Sequence, residues 1–521
     1  MCSIHLKYLC MQKKLLLFFF TITTLSLFAQ TPDDALRTAW FTQNGTARNI
    51  AVGGVMGSLG GDITANHVNP AGIGLYKTKE LVLSPGFNFN NNKLNYRGTD
   101  TANKKNAFQY GASGIVLGWA NKNNANGWRG GAFAISVNQL ASFNNHIQYS
   151  GFNNFSSFSE QYLEELVRDR ADTNAALSNY IFGSSLAFRT YLIDTISGPG
   201  GTVAGYQSLV PISTGINQTY NSDTKGGYHE IAIGYAGNMQ DKLYIGGSLT
   251  IPIVSYKRDF YYSETDATNN PNNDFAYFKY HEVNTSNGIG IGAKLGFIYK
   301  PKEYWRLGFA IHTPQFIAFK DEIRSWMETN TENYAHTVTE SSDNLNSGNA
   351  GTRNYTIQTP MRLIASASYV FREVANTKKQ RAFISADVEF VNYDGARFRP
   401  QNADDAIAKN YYNTANDAVK NYLKSNFNFR LGGELKFDPW MFRAGIAYYG
   451  SPYKDGTLKA NRIIPSAGIG YRNHGMFIDV TYVFAIVNDV NFPYRLNDKP
   501  NTYATQTGNR QQIALTVGFK L

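Results

Sequence analysis

The sequence contains very little cysteine. Only two of its 521 residues are cysteines, Cys2 and Cys10. Both precede a predicted export-signal cleavage site. The mature chain is therefore expected to contain no disulfide, no cysteine-ligated metal and no lipid-anchored cysteine.

Charge and catalytic signatures are also sparse. Charged residues make up 17% of the chain, and the lysines and arginines that give its net charge of +10 are scattered. This pattern does not indicate a nucleic-acid partner. The sequence has no His-Glu-x-x-His and no Gly-x-Ser-x-Gly, the signatures of common metalloproteases and hydrolases. We therefore expect no enzyme activity, no cofactor and no metal.

Long apolar runs are missing outside the first 30 residues. There, Lys13 and Lys14 precede an apolar run over 15–28, and small residues around Ala29 offer a cleavage site. This run is shorter than the ~20 residues that a membrane-spanning helix needs. Residues 1–30 are therefore predicted to be a signal peptide, and the protein is predicted to be exported.

The strongest positive signal is a strict alternation of large apolar residues with small or polar ones. It is clearest in the C-terminal segment 513–521, and it recurs over 289–299, 305–311, 384–390 and 427–437. Alternate side chains of a strand point to opposite faces of the sheet. Several of these runs reach the ~9–11 residues that a tilted strand needs to cross a membrane. A sheet in hydrocarbon must close on itself to pair its backbone groups, so the pattern predicts a membrane barrel.

The mature chain divides into two predicted parts, an N-terminal segment over 31–78 and a barrel over 79–521. We predict an all-β fold, a transmembrane antiparallel β-barrel of about 14 strands. The predicted strands are 79–96, 108–121, 127–150, 227–238, 242–263, 274–299, 304–325, 353–373, 379–395, 425–438, 439–452, 461–473, 475–489 and 505–521.

The connectors between these strands alternate in length. Outer-membrane barrels have short periplasmic turns and longer extracellular loops. We therefore expect both termini in the periplasm. Short turns are predicted near 123–124, 238–241, 300–302, 376–378, 438–439 and 472–474. Long outer connectors are predicted at 97–107, 151–226, 264–273, 326–352, 396–424, 453–460 and 490–504.

Two of the long connectors are expected to be partly helical. Ser157 and Glu160 have the spacing of a capping box. In 396–424, five residues recur every fourth position, as on one helix face: Ile407, Tyr411, Ala415, Val419 and Leu423. These helices would form a lid or ligand-gathering surface, or would simply pack the loops.

The segment 31–78 does not alternate and is rich in small residues, which allow tight packing of the backbone. Asn69-Pro70 followed by Ala71-Gly72 is a turn signal. A compact plug inside the barrel would have such a sequence, and an ordinary periplasmic extension is the alternative.

Characteristic motifs lie in the plug segment, the middle of the barrel and its last third: 47–54, Asp62, 69–72, 296–301, 305–308, 313–314 and 442–452. With these motifs the chain resembles the FadL/TodX family of outer-membrane hydrophobic-compound transporters. Together and in this order the motifs extend over roughly the whole mature chain.

The resemblance implies a barrel with an N-terminal hatch, capture of ligand at the outer loops, and sideways release by a kinked third strand. In this sequence the third strand is 127–150, whose alternation is interrupted at 136–139 and 143–146. The chain departs from the family in the insertions 151–226 and 396–424 and in ending on Leu521 rather than an aromatic residue. The insertions leave the identity of the ligand open.

Candidate site residues follow from two arguments. A ligand with a carboxylate would need a cation, for which the inward-facing candidates are Arg306, Arg430 and Arg443. Their alternative role is pairing with Asp387, Glu389, Glu434 or Asp479, because buried charges are normally paired. The resemblance assigns gating or binding to Arg48, Asn69, Pro70, Ala71, Gly72 and Asn138. A purely structural turn is the alternative for the Asn-Pro-Ala-Gly motif.

These observations favour passive uptake of hydrophobic small molecules, such as long-chain fatty acids, aromatic hydrocarbons or a porphyrin. The expected partners are that ligand, outer-membrane lipid and lipopolysaccharide, and the oligomeric state stays open. The alternatives are a general or structural porin, and a surface receptor or adhesin, for example for hemin, that uses the loop 151–226.

Overall fold

The strands of the computed structural model form one large antiparallel sheet and one small hairpin. The structure describes residues 32–121, 127–371, 381–456 and 460–521, so the predicted signal peptide lies outside the described residues. The strands are β1 (Lys79–Leu83), β2 (Pro85–Tyr96), β3 (Thr99–Tyr110), β4 (Ser113–Ala120), β5 (Trp128–Ser142), β6 (Asn145–Asn153), β7 (Ile193–Ser197), β8 (Val203–Ser208), β9 (Ile216–Met239), β10 (Leu243–Asp266), β11 (Tyr277–Lys302), β12 (Trp305–His312), β13 (Phe316–Asn330), β14 (Thr337–Ser341), β15 (Gly351–Gln358), β16 (Arg362–Phe371), β17 (Ala382–Val391), β18 (Arg397–Pro400), β19 (Asn426–Phe437), β20 (Trp440–Tyr449), β21 (Arg462–Asn473), β22 (Met476–Asn491) and β23 (Ala504–Lys520).

The large sheet closes into a barrel. The last strand, β23, pairs antiparallel with both β1 and β2, through registers such as Glu80↔Lys520. Six wall strands consist of two consecutive elements: β1–β2, β3–β4, β5–β6, β12–β13, β15–β16 and β17–β18. Counted in this way, the wall has fourteen strands, which confirms the predicted fold class. β14 extends the sheet beside β13, and β7 and β8 form the separate hairpin.

The outer face of the barrel carries an apolar belt. In β10 the outward residues Ile245, Leu249 and Ile253 are exposed, and Lys257 follows them on the same face. Large exposed aromatic residues flank the short turns, as an interfacial girdle requires: Trp128, Tyr299, Trp305, Phe437 and Trp440. The belt is the lipid-facing surface of a membrane barrel.

The strands continue well beyond this belt at the long-loop end, and here the predicted boundaries are wrong. Residues 97–107, predicted as a long connector, belong mostly to β3, and the chain turns tightly at Arg97 and Gly98, both with positive φ. The predicted loop 151–226 likewise shortens because β6 and β9 extend into it. Above the lipid both faces of the wall can be polar, so the alternation that marks a strand fades. The predicted turns at 123–124 and 376–378 lie outside the described residues.

The helices lie in the N-terminal segment and in the long loops. They are α1 (Pro32–Arg37), α2 (Ala47–Ala51), α3 (Ala65–Val68), α4 (Glu160–Arg168), α5 (Thr173–Ser178), α6 (Ser184–Arg189), α7 (Ser342–Leu345) and α8 (Ala406–Tyr422), with 3₁₀ turns at Pro70–Leu75, Pro199–Gly201 and Tyr393–Gly395. Among the described residues, every helix is too short or too polar to cross a bilayer.

Residues 32–78, here called the lumenal segment, lie inside the barrel. Their buried apolar side chains, such as Val52, Met56 and Ile73, pack against small residues of the inner wall. At Gly308, Gly432 and Gly445 a side-chain carbon would overlap the backbone of this segment. The glycines of the wall therefore allow direct backbone contact across the lumen. The wall residues in this contact include Ala132, Ala134, Ala236, Ala310 and Ile364.

The two ends of the described chain lie at different levels of the barrel. Leu36 of α1 packs in the lumen with Val254, Tyr355 and Val419, the last of these from α8 in the long loop 396–424. The first described helix therefore packs in the lumen near the outer loops, and the periplasmic position of the termini stays a prediction. At the other end, the Lys520 N–H donates to the Gly475 carbonyl at a short turn (2.8 Å).

The long loops close the far end of the barrel. Only one bond of the predicted capping box is formed, from the Ser157 N–H to Glu160 Oε2 (2.9 Å). The Ser157 hydroxyl accepts the Ser159 N–H instead (3.1 Å), and Ser159 is the N-cap of α4. Helices α4 to α6 pack onto the inner face of β9, β10 and β11 in a cluster rich in aromatic residues. In α8, Ala415 and Val419 are buried but Ile407 is exposed. The predicted apolar face of this helix is therefore buried only in part.

Candidate ligand cavity and lateral gap

The third wall strand is broken where the sequence predicts a kink. β5 ends at Ser142 and β6 begins at Asn145, and the pairing with β9 shifts register between Gln139 and Ala141. The Phe143 N–H donates to the carbonyl of Gly226 in β9 (3.0 Å). Gly226 has φ +115, and a side chain there would overlap the backbone of β10. A glycine is therefore required opposite the break.

The broken strand bends towards the lumen. Asn90 and Asn92, on the inner face of β2, donate to the carbonyls of Asn144 (2.7 Å) and His146 (2.9 Å). Side chains that project inward from the wall thus hold the start of β6 on the inside of the barrel.

This bend leaves a lateral gap in the wall between β3 and β6. β3 pairs with β2 and β6 pairs with β9, and none of the described ladders joins β3 to β6. A side-chain contact links them instead, from Asn103 Nδ2 to the Gln148 carbonyl (3.0 Å). The gap is the place where the closed wall is weakest.

A cavity of about 460 Å³ lies in the lumen directly beside the broken strand. This volume is within the ~300–1,000 Å³ of small-molecule sites. The lumenal segment supplies one wall of the cavity and residues 140–145 supply another. Its large apolar lining residues are Leu36, Trp40, Phe41, Leu140, Phe143, Tyr256, Tyr449, Tyr453, Ile464, Val483 and Val487.

Two arginines on the inner wall give the cavity a cationic side. Arg462 and Arg510 both line it and are close enough to repel each other. The Arg462 guanidinium lies 3.7 Å from the centre of the Trp40 ring. Among the described residues neither arginine has a carboxylate within salt-bridge distance, but Asp489, which also lines the cavity, attracts both of them electrostatically. These guanidinium groups are therefore placed to receive an anionic group of a ligand.

The arginines predicted as ligand-binding residues all contact groups of the protein itself, and their role towards a ligand stays a prediction. Arg430 pairs with Glu389. Arg443 bridges Glu434 and Asp479, at 2.6 Å each. Arg306 donates to the Leu59 carbonyl of the lumenal segment (3.0 Å). The pairing alternative thus describes Arg430 and Arg443, and none of the three is among the residues lining the cavity.

The Asn-Pro-Ala-Gly motif is buried between the lumenal segment and the wall. Asn69 caps the 3₁₀ turn by accepting the Ala71 N–H (3.1 Å), and its Nδ2 donates to the carbonyls of Gly57 (2.5 Å) and Phe297 (3.2 Å). Pro70, Ala71 and Gly72 form the turn itself. The motif therefore fixes the segment against β11, and its assignment to gating stays a prediction.

Arg48 and Asn138 also connect the segment to the wall. Arg48 pairs with Glu434 (3.3 Å) and donates to the Gly61 carbonyl (3.2 Å). Asn138 Nδ2 donates to the Asn44 carbonyl (2.9 Å). Both contacts would break if the lumenal segment moved, so their predicted roles stay open to test.

The fold also assembles a polar cluster that sequence motifs did not reveal. His67 Nδ1 contacts Glu230 Oε1 (2.9 Å), and His67 Nε2 contacts the Ser136 hydroxyl (2.9 Å). This is the order of groups in a nucleophilic triad, but Ser136 and His67 are each only 2% exposed. Burial lowers the pKa of His67, and Lys294 pairs with Glu230. The cluster therefore anchors the segment to the wall.

Alternation alone predicts that the two arginines of the cavity face the lumen. Arg462 precedes the outward Ile463, and Arg510 lies two positions before the inward Gln512. Alternation places both on the inner face, as it does for the arginines that are paired. The sequence does not show which inward arginine has an acidic neighbour, because the neighbours come from distant strands.

Comparisons with known proteins show the same architecture. The structure is similar to that of a FadL homologue of Pseudomonas aeruginosa, with a TM-score of 0.53 and 14% identity over 92% of this chain and 99% of that one. It is also similar to the P. putida toluene transporter TodX, with a TM-score of 0.50 and 12% identity over 92% of this chain and 99% of that one. The sequence matches no protein-family model and no curated protein.

The fold and the site thus define a class of protein, a fourteen-stranded barrel with an occupied lumen and a broken third strand. The particular architecture is that of the FadL/TodX type. At this level of identity the similarity shows the fold alone.

Proposed function

We propose that this chain is an outer-membrane protein for passive uptake of hydrophobic small molecules that carry an acidic group, such as long-chain fatty acids. The observation that carries the proposal is the position of the 460 Å³ cavity. It lies between the lumenal segment, which acts as a plug, and the lateral gap between β3 and β6. One structural neighbour is named a toluene transporter, which supports uptake of a hydrophobic compound, while the acidic group of the ligand is inferred from the lining of this cavity.

The lining of the cavity matches an amphiphile. Burial of each methylene contributes about 0.8 kcal/mol, so eight methylenes against the aromatic and aliphatic lining contribute about 6 kcal/mol before the costs of binding. Arg462 and Arg510 would hold the carboxylate at the opposite side. A neutral hydrocarbon would leave both guanidinium groups without a ligand partner, which favours an acid.

Release would take place sideways into the membrane. The cavity contacts residues 140–145 of the broken strand. By register through β9 this break is level with Ser255 of β10, two residues beyond Ile253 at the outer edge of the apolar belt. A hydrophobic ligand that leaves by this route does not need to pass the lumenal segment. No energy source is required, because the ligand moves between apolar environments.

A crosslink across the gap tests the proposal. The chain has no cysteine after residue 10, so Lys104→Cys with Gln148→Cys, two exposed positions beside the Asn103–Gln148 contact, joined by a short bismaleimide, would tie β3 to β6. The matched control is Asn91→Cys with Asn509→Cys, a directly paired position of the intact β2–β23 ladder. Uptake of labelled oleate should fall at least tenfold in the crosslinked gap variant and stay unchanged in the control. Wild-type uptake despite complete crosslinking of the gap would exclude lateral release.

A further inference from the structure

The barrel wall carries a groove of about 530 Å³ on its outer face, well above the apolar belt. Its ring-bearing side chains come from three adjacent strands in one row. Tyr261 of β10 is paired with His281 of β11, and His281 is paired with Trp326 of β13. The row is outside the barrel, because Tyr261 is half exposed while its neighbours Phe260 and Tyr262 are buried in the lumen cluster.

The rings of this row are held in place. Tyr261 and His281 stack with their centres 3.9 Å apart and their planes within 5°. His281 Nε2 contacts Asp259 Oδ1 (2.9 Å), which fixes the imidazole plane. Val283 and Ser325 also line the groove, and Ser341 lies beyond Trp326. The groove thus has preformed aromatic surfaces with the charged side chains of Arg324 and Asp343 beside them, whereas the Ser325 hydroxyl donates inward to the Phe182 carbonyl (2.9 Å).

The position excludes a role as a membrane-interface girdle. Tyr261 is eight residues beyond Ile253, the last apolar residue of β10 that faces the lipid. At ~3.3 Å per residue and a tilt near 40°, this corresponds to about 20 Å above the hydrocarbon. Aromatic girdles lie at the hydrocarbon boundary instead.

The charges around the groove are balanced. Lys279 pairs with Glu328 (3.0 Å), Lys320 with Glu322 (2.6 Å), and Arg324 with Asp343. A phosphate group would have to break such pairs to be bound. A neutral sugar would not, since its C–H face packs on an aromatic ring and its hydroxyls exchange hydrogen bonds with the polar rim.

We propose that this groove binds a hexose of the lipopolysaccharide core, with the sugar against the rings of Tyr261, His281 and Trp326. The inference rests on the proposed outer-membrane location, where the leaflet around the long-loop end is glycolipid. Its sugars then stand beside the wall at the height of the groove. The contact would fix the barrel laterally among its lipopolysaccharide neighbours, independently of the ligand cavity.

Titration calorimetry with delipidated, hexose-containing core oligosaccharide tests the proposal on the detergent-purified full-length protein. Tyr261→Ala and Trp326→Ala should each weaken binding at least tenfold. Tyr503→Ala, at another exposed aromatic of the outer loops, should not. Using both groove variants keeps the test valid if one of them fails to fold.

Two results would overturn the proposal: absence of oligosaccharide binding by the wild type, or equal binding by folded groove variants. Binding of lipid A alone without oligosaccharide binding would point to phosphate recognition and would also overturn it. Oleate uptake by the groove variants should remain at the wild-type level. Oleate uptake and oligosaccharide binding are measured separately, so the proposed function and the glycan site can each fail without the other.

Discussion

Arg462 and Arg510 determine which ligands the cavity accepts under the proposed function. Replacing either with glutamine removes a charged hydrogen-bond donor, and such bonds contribute about 1.5–3 kcal/mol. We therefore expect Arg462→Gln or Arg510→Gln to weaken oleate binding by about 10- to 100-fold. Tryptophan fluorescence titration of the purified protein would measure this, because Trp40 lies against Arg462.

An uncharged ligand of equal length separates charge recognition from packing. Methyl oleate should bind the wild type and the arginine variants with similar affinity. Arg495→Gln, at an exposed arginine of the loop 490–504, provides the matched control and should bind oleate normally. An equal loss of oleate and methyl oleate would mean that the variants disturb the cavity itself, and the assignment of the carboxylate site would be wrong.

Alternation in the sequence predicts which face of the barrel wall a residue lies on, but not which residue it contacts. It correctly places Arg306, Arg430 and Arg443 on the inner face, since all three are buried there. It does not identify their partners, because Arg430 and Glu389 are 41 positions apart and meet only across the β17–β19 ladder. The same limit conceals the contact between Trp40 and Arg462. Pairing in a barrel depends on register, which the sequence pattern fixes only within each strand.

At the scale of elements, one salt bridge crosses the broken third strand. Lys105 of β3 contacts both carboxylate oxygens of Asp223 in β9, at 2.7 and 3.0 Å, and β6 lies between these strands in the wall. A partly exposed ion pair contributes about 0.2–1 kcal/mol. We expect Lys105→Gln or Asp223→Asn to loosen the gap and to raise oleate uptake by up to about fivefold.

The pair Lys279–Glu328 provides the control, because it is also a partly exposed bridge between neighbouring strands but lies far from the gap. Lys279→Gln should leave uptake unchanged. Exchanging the charges, with Lys105→Asp and Asp223→Lys together, should restore slow uptake. If all these variants transport at the same rate, the bridge does not restrain the gap.

The strands themselves could be predicted best where lipid faces them. The segments 427–437 and 513–519 alternate strictly, and β19 and β23 include them. β3 was missed because its outward residues above the belt are polar, for example Lys104 and Asn106. The break after Ser142 was found as an interruption of alternation. Its inward direction depends on Asn90 and Asn92 of another strand, which no local pattern contains.

At the scale of the whole molecule, the occupied lumen distinguishes a plugged transporter from a porin. Residues 32–78 fill the middle of the barrel, and the cluster of α4 to α6 with the outer strand ends covers the long-loop end. In planar bilayers the wild type should therefore show little steady ionic conductance. Removing 32–78 should open the lumen, because the wall closes through β1 and β23 without any residue of this segment.

Deletion of the hairpin tip 196–204 serves as the control, since β7 and β8 form a separate sheet outside the wall and Ile193 and Tyr206, which contact the lumen cluster, are kept. This variant should conduct as little current as the wild type. The variant without 32–78 should give large, long-lived channels in the bilayer and should still migrate as a folded barrel on a gel. The deletion also removes Arg48 and His67, but Glu434 stays paired with Arg443 and Glu230 with Lys294, so the charges of the wall remain compensated at these two acids. A wild type that already conducts freely would favour the porin, and a folded but silent deletion variant would show that another part of the chain closes the barrel.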